Sequence, residues 1–203
     1  MTPQILAELL PPQGLFREPG IPWRVSPEPL ALPRALVRQL EGLGHVLARF
    51  QDAAHELYLS SVAGREAPWL APMLEAGKPE WLVQAQRRSS GAKAASVIRP
   101  DLLWCDDGLA LAELDSVPGG MGLTLFLSRA YSRAGYEILG GAEGLAEGFR
   151  SAHPDGALIA VSKESSDYRP EMEYLAEALG AGYDCVDAEG LPEALPPGTC
   201  LYR

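Results

Sequence analysis

Residues 99–122 carry the side chains best suited to chemistry: Arg99, Asp101, Glu113, Asp115, and then Gly119, Gly120 and Gly122. Asp106-Asp107-Gly108 stands midway between two strand-like runs, so 97–115 is expected to form a β-hairpin. A three-residue turn with Gly108 in the left-handed region sets Asp101 opposite Glu113 and Arg99 opposite Asp115. A two-residue turn at Asp107-Gly108 would set Asp101 opposite Leu114 instead. In the first register Leu102, Trp104, Ala110, Ala112 and Leu114 share an apolar face. Leu103, Leu111 and the four charges share the other. Three carboxylates around one guanidinium repel one another unless a cation sits among them. Hard oxygen donors at this density suit Mg²⁺, which takes one or two carboxylates and completes its shell with phosphate oxygens and water. An arginine beside such an ion suits a phosphate. A plain solvated, charged face would carry the same pattern.

Two further groups are candidates for holding an anion or a substrate. Ser116, Gly119 and Gly120 lie in a small-residue loop just before a helical pattern, where backbone N–H groups are exposed. The glycine spacing matches neither the dinucleotide fingerprint nor the P-loop. Ser162 and Lys163 follow an apolar run of strand length, 157–162. Ligands bind at the carboxyl ends of strands in open parallel sheets.

The elements that must position these groups are legible in outline. Residues 1–33 carry eight of the 18 prolines and read as an extended, proline-rich arm. A helical region follows over 34–92. Its long helix, 34–62, repeats Leu36, Leu40, Leu43, Leu47, Phe50, Ala54 and Leu57 at spacings of three and four, which predicts one buried stripe. His45 and His55 point about 80° apart on this helix and cannot share one metal. Shorter helices are expected at 67–77 and 79–88. A polar stretch, 89–96, marks the boundary to a domain at 93–203 made of the hairpin and an α/β segment. In that segment a helix is expected at 123–135, strands at 157–162, 183–187 and 199–203, and a helix at 168–182. Strand, helix, strand makes a βαβ unit and a small parallel sheet. The expected class is therefore α/β: a helical N-terminal region, a β-hairpin and a small, mainly parallel sheet with flanking helices.

Composition excludes several roles. The formal net charge is −10, which leaves no basic surplus for nucleic acid or for an anionic membrane surface. No apolar run reaches the ~20 residues that span a bilayer. The N-terminal residues have no basic leader ahead of an apolar run. Cys105, Cys185 and Cys200 are odd in number and widely spaced, which fits neither a zinc site nor a disulfide framework. A cytoplasmic location is expected.

Arg99-Pro100-Asp101, Glu113-Leu114-Asp115 and Val117-Pro118 together resemble a motif of the glutathionylspermidine synthase-like, circularly permuted ATP-grasp ligases. In that motif Arg-x-Asp opens a hairpin, Glu-x-Asn follows about a dozen residues later, and Thr-Pro comes soon after. Here Asp115 stands for the Asn, Pro100 for an aromatic residue, and Pro118 is slightly displaced. The resemblance spans about 90 residues. It implies a pre-ATP-grasp fold, with Asp101, Glu113 and Asp115 as magnesium ligands and Arg99 as the catalytic contact to the transferred phosphate. It also implies ATP and Mg²⁺ as cofactors, with a small-molecule carboxylate and an amine or thiol as substrates. The nucleotide-gripping lysines and lid of such ligases lie downstream of the motif, and Lys163 is the only lysine after Lys93. The implied role is the N-terminal part of an ATP-dependent ligase, inactive alone. Two other classes stay open: a non-catalytic small-molecule binding α/β module, and a helical interaction protein acting through residues 34–88.

Overall fold

The computed structural model describes residues 26–88, 95–115 and 119–202. The proline-rich arm before Ser26 and Ser116, Val117 and Pro118 lie outside them. The chain forms a mixed α/β fold in two compact units, one spanning Pro33–Ser116 and the other Val117–Arg203 with the residues up to Leu32. The division falls between Ser116 and Val117 rather than in 89–96. The hairpin therefore belongs with the helices and not with the parallel sheet.

In the first unit, α1 runs from Arg34 to Val62, α2 from Leu70 to Glu75 and α3 from Glu80 to Arg88. Pro33 starts α1, with its carbonyl accepting from the N–H groups of Leu36 and Val37. At the far end the buried Ser61 hydroxyl donates to the Ala67 carbonyl (2.6 Å) and accepts from the Ala71 N–H (2.9 Å), pinning the turn that leads to α2. Glu75 then accepts from Tyr58 on α1 (2.8 Å) and from Arg87 Nε on α3 (2.7 Å). The guanidinium of Arg87, its partner, holds the Glu75 carboxyl below its ordinary pKa.

The single buried stripe expected on α1 is not what forms. Leu36 and Leu47 are buried, and Leu40 and Leu43 are half-buried, but Phe50, Ala54 and Leu57 are exposed. The reason is the small number of elements available to cover a 29-residue helix: two short helices reach only part of its length. Gly44 lies in the interior of α1 with open space where a Cβ would stand. Gly44→Ala should therefore stabilise this unit by about 0.5–1 kcal/mol in chemical denaturation, since alanine fits and restricts the unfolded chain. A loss of stability would mean that something packs on that face.

In the second unit, α4 spans Met121–Arg133, α5 Gly144–Ala152 and α6 Arg169–Leu179. Strands β3 (Ala157–Val161), β4 (Tyr183–Asp187) and β5 (Leu201–Tyr202) form a parallel sheet in the order β4-β3-β5. The apolar run ALIAV makes β3 the central strand, because a strand covered on both faces reads as continuously hydrophobic. Phe149, Leu125, Ile159 and Leu175 are the largest fully buried side chains. A short 3-10 helix, Lys163–Tyr168, precedes α6, and Pro170 in the first turn of α6 suits its fixed φ. Helix α5 was not expected from the sequence, where two glycines in nine residues weaken the helical signal. Among the described residues no helix is long and apolar enough to cross a membrane.

Candidate metal and phosphate site

The hairpin, β1 (Arg99–Cys105) and β2 (Gly108–Asp115), pairs Arg99 with Asp115 and Asp101 with Glu113. The expected register at the open end is therefore present, but the turn that delivers it is different. Cys105 pairs with Gly108 across a two-residue Asp106-Asp107 turn, with Gly108 at φ 122°. The register then shifts between Asp101 and Leu102, leaving Ala112 as an extra residue on β2. This bulge changes the parity of β2. Leu109 and Leu111 consequently face the same side as Trp104 and Leu102, with Pro100 and Leu114 further along. Glu113 and Asp115 come to the other side with Asp101 and Arg99. The expected grouping of Leu111 with the charges, and of Ala110 with the apolar face, is thus corrected. Nor is the apolar face sunk in a core, because Trp104 and Leu111 are exposed.

Arg99 sits between two of the carboxylates, with Nε 3.5 Å from Asp101 and Nη2 3.4 Å from Asp115. These contacts are long and solvated, worth about 1 kcal/mol or less each. Glu113, opposed to Asp101, makes no ion pair among the described residues. Three acids and one base leave this end of the hairpin with a surplus negative charge of two. In donor chemistry the set fits a hard divalent ion, which needs only one or two carboxylates before phosphate oxygens complete its shell. It is not a self-sufficient cage: among the described residues no group of three or more His, Cys, Asp or Glu side chains is gathered closely enough to hold a metal. Asp101, Glu113 and Asp115 are the residues that would hold such an ion.

Gly119 and Gly120 lie in the other unit and serve packing. The Gly120 N–H donates to Glu171 Oε1 (2.6 Å) and the Leu123 N–H to Glu171 Oε2 (3.1 Å). The amino end of α4 is thus filled by a buried carboxylate from α6, in place of the anion expected there. A Cβ on Gly119 would lie 2.4 Å from the Tyr168 ring, and one on Gly122 would lie 1.8 Å from the Glu171 carbonyl oxygen. These glycines permit close contact of α4 with the segment that opens α6. Ser116 lies outside the described residues.

Ser162 and Lys163 do stand at the carboxyl end of β3. The Lys163 N–H donates to Glu189 Oε1 (2.9 Å), and that bond holds the Glu189 carboxyl below its ordinary pKa. Arg169 lies at the same edge, paired with Asp187 and donating weakly to the Val161 carbonyl (3.4 Å). At the opposite edge Cys200 Sγ lies 3.1 Å from His153 Nδ1, and burial pushes the imidazole below its ordinary pKa.

Glu171 is the residue the sequence reading overlooks. Its signal was spacing: Glu171, Leu175 and Leu179 recur every fourth residue, so the carboxylate lies on the apolar face of α6. No protein-family profile matches this chain, and neither a curated protein nor a solved structure is significantly similar to it.

Proposed function

We propose that this chain is the N-terminal part of an ATP-dependent carboxylate–amine or carboxylate–thiol ligase of the ATP-grasp type. The observation that carries this reading is the hairpin register, which puts Arg99, Asp101, Glu113 and Asp115 in neighbouring rungs on one face. These are the residues in which the chain resembles the permuted ATP-grasp motif.

In such a reaction a substrate carboxylate attacks the γ-phosphorus of ATP. The bond to the bridging oxygen breaks, ADP leaves, and an acyl phosphate forms. An amine or thiol then attacks the acyl carbon, and inorganic phosphate departs as the nucleophile loses its proton. Bound Mg²⁺ would supply charge neutralisation on the phosphate oxygens. The protein's part is positioning and electrostatics. Arg99, on the same face as the three carboxylates, would direct its guanidinium to a phosphate oxygen. Asp101, Glu113 and Asp115 keep that face negative enough to attract a cation before the nucleotide arrives.

Calorimetric titration of the protein at its full natural length with Mn²⁺ in the presence of ATP tests this reading. Glu113→Gln should weaken Mn²⁺ binding about tenfold or more, as expected for loss of a charged ligand, and leave the melting temperature unchanged or raised by relief of the Asp101–Glu113 repulsion. Equal affinity in the two proteins would reduce the hairpin to a solvated charged face.

A further inference from the structure

The first unit leaves an apolar stripe on α1 that its own core does not use. Val46, Phe50, Ala53 and Leu57 follow one another at spacings of four, three and four. At 100° per residue they fall within about 60° of arc. All four are exposed, with Val46 at 61%, Phe50 at 57% and Leu57 at 39%. The buried side of α1, marked by Leu36 and Leu47, lies about 80° further round the helix. The stripe is therefore separate from the face that packs in the unit. Its spacing is that of a coiled-coil seam.

We propose that this stripe pairs with the same stripe of a second copy of the chain, the two helices running antiparallel. Steric and charge complementarity both favour this occupant. In an antiparallel pair centred between Gln51 and Asp52, Val46 lies opposite the partner's Leu57, and Phe50 opposite the partner's Ala53. Each large ring meets a small residue, so the seam interdigitates instead of clashing. Arg49 and Glu56 flank the stripe on one side, one heptad apart. The two-fold axis brings each Arg49 to the partner's Glu56, giving two opposite-charge contacts and no like-charge contact between these positions. A three-turn seam is small, so association is in the range of about 10–100 µM.

Sedimentation equilibrium tests this on the protein over that range. The expected result is a concentration-dependent rise from the 21.8 kDa of one chain toward twice that mass. Arg49→Glu should weaken association about tenfold or more, through lost pairs and new like-charge contacts. The double variant Arg49→Glu/Glu56→Arg should restore it. Both positions are exposed on α1, so circular dichroism should show unchanged helix content. Phe50→Glu should abolish association. A chain that stays monomeric throughout, or a charge-swapped pair that fails to recover while remaining helical, overturns the antiparallel pairing. An assembly insensitive to Phe50→Glu assigns association to another surface and overturns it equally.

Discussion

Glu171→Ala should destabilise the protein by about 3–4 kcal/mol, a large part of the roughly 5–15 kcal/mol that holds an ordinary domain together. Glu171 is 5% exposed and its two carboxylate oxygens accept from the N–H groups of Gly120 and Leu123 at the start of α4. Truncation leaves two donors without partners, removes a charge favourably placed on the helix dipole, and empties the buried space the carboxylate fills. Glu171→Gln should cost about half as much, because its amide accepts from one N–H and turns a donor toward the other. Urea denaturation followed by circular dichroism measures both. Inorganic phosphate gives the discriminating result: it should stabilise Glu171→Ala, whose helix terminus is vacated, and leave the parent protein unaffected. Phosphate stabilisation of the parent protein alone would instead return the glycine loop to service as an anion site.

What the sequence revealed and what it hid follow from how each signal is encoded. Helix α1 was legible to its ends because Pro33 and Gly64 bracket a long run of periodic leucines. Strand β3 was legible as a short apolar run, and β4 as a short segment in which Tyr183 and Cys185 alternate with aspartate, on the far side of an amphipathic helix. The hairpin pairing of Asp101 with Glu113 was legible, but its bulge was not. Its trace is the change in leucine spacing from two to three at Leu109, Leu111 and Leu114, which alternation alone does not interpret. Which face of α1 is covered could not be read, because Phe50 and Leu57 continue the same periodicity as Leu47 and only tertiary packing separates them. The glycine loop misled for a related reason. Glycines that approach a phosphate and glycines that let helices touch share a composition, and here Glu171, about fifty residues away, decides between them.

For the ligase reading, the hairpin charges have a larger expected effect on turnover than any other side chains. Glu113 makes no ion pair among the described residues and faces a like charge on Asp101, so on the proposed reading its contribution is to a bound cation. Loss of a group aimed at phosphoryl transfer costs about 10²–10³ in rate when it acts in the transition state. Arg99→Ala and Glu113→Gln should fall in that range, while Lys163→Ala, whose side chain is exposed and whose N–H contact survives, should change turnover little. The most direct measurement is ADP release by the protein at its full natural length, supplied with ATP, Mg²⁺, a panel of amino acids and short peptides as carboxylates, and ammonia, a polyamine or a thiol as acceptor. The expected result is ADP and phosphate released only when a carboxylate and an acceptor are both present, and lost about 100-fold or more in Glu113→Gln. ADP release unchanged by Glu113→Gln, or none across the panel with no Mn²⁺–ATP binding by the parent protein, would contradict it.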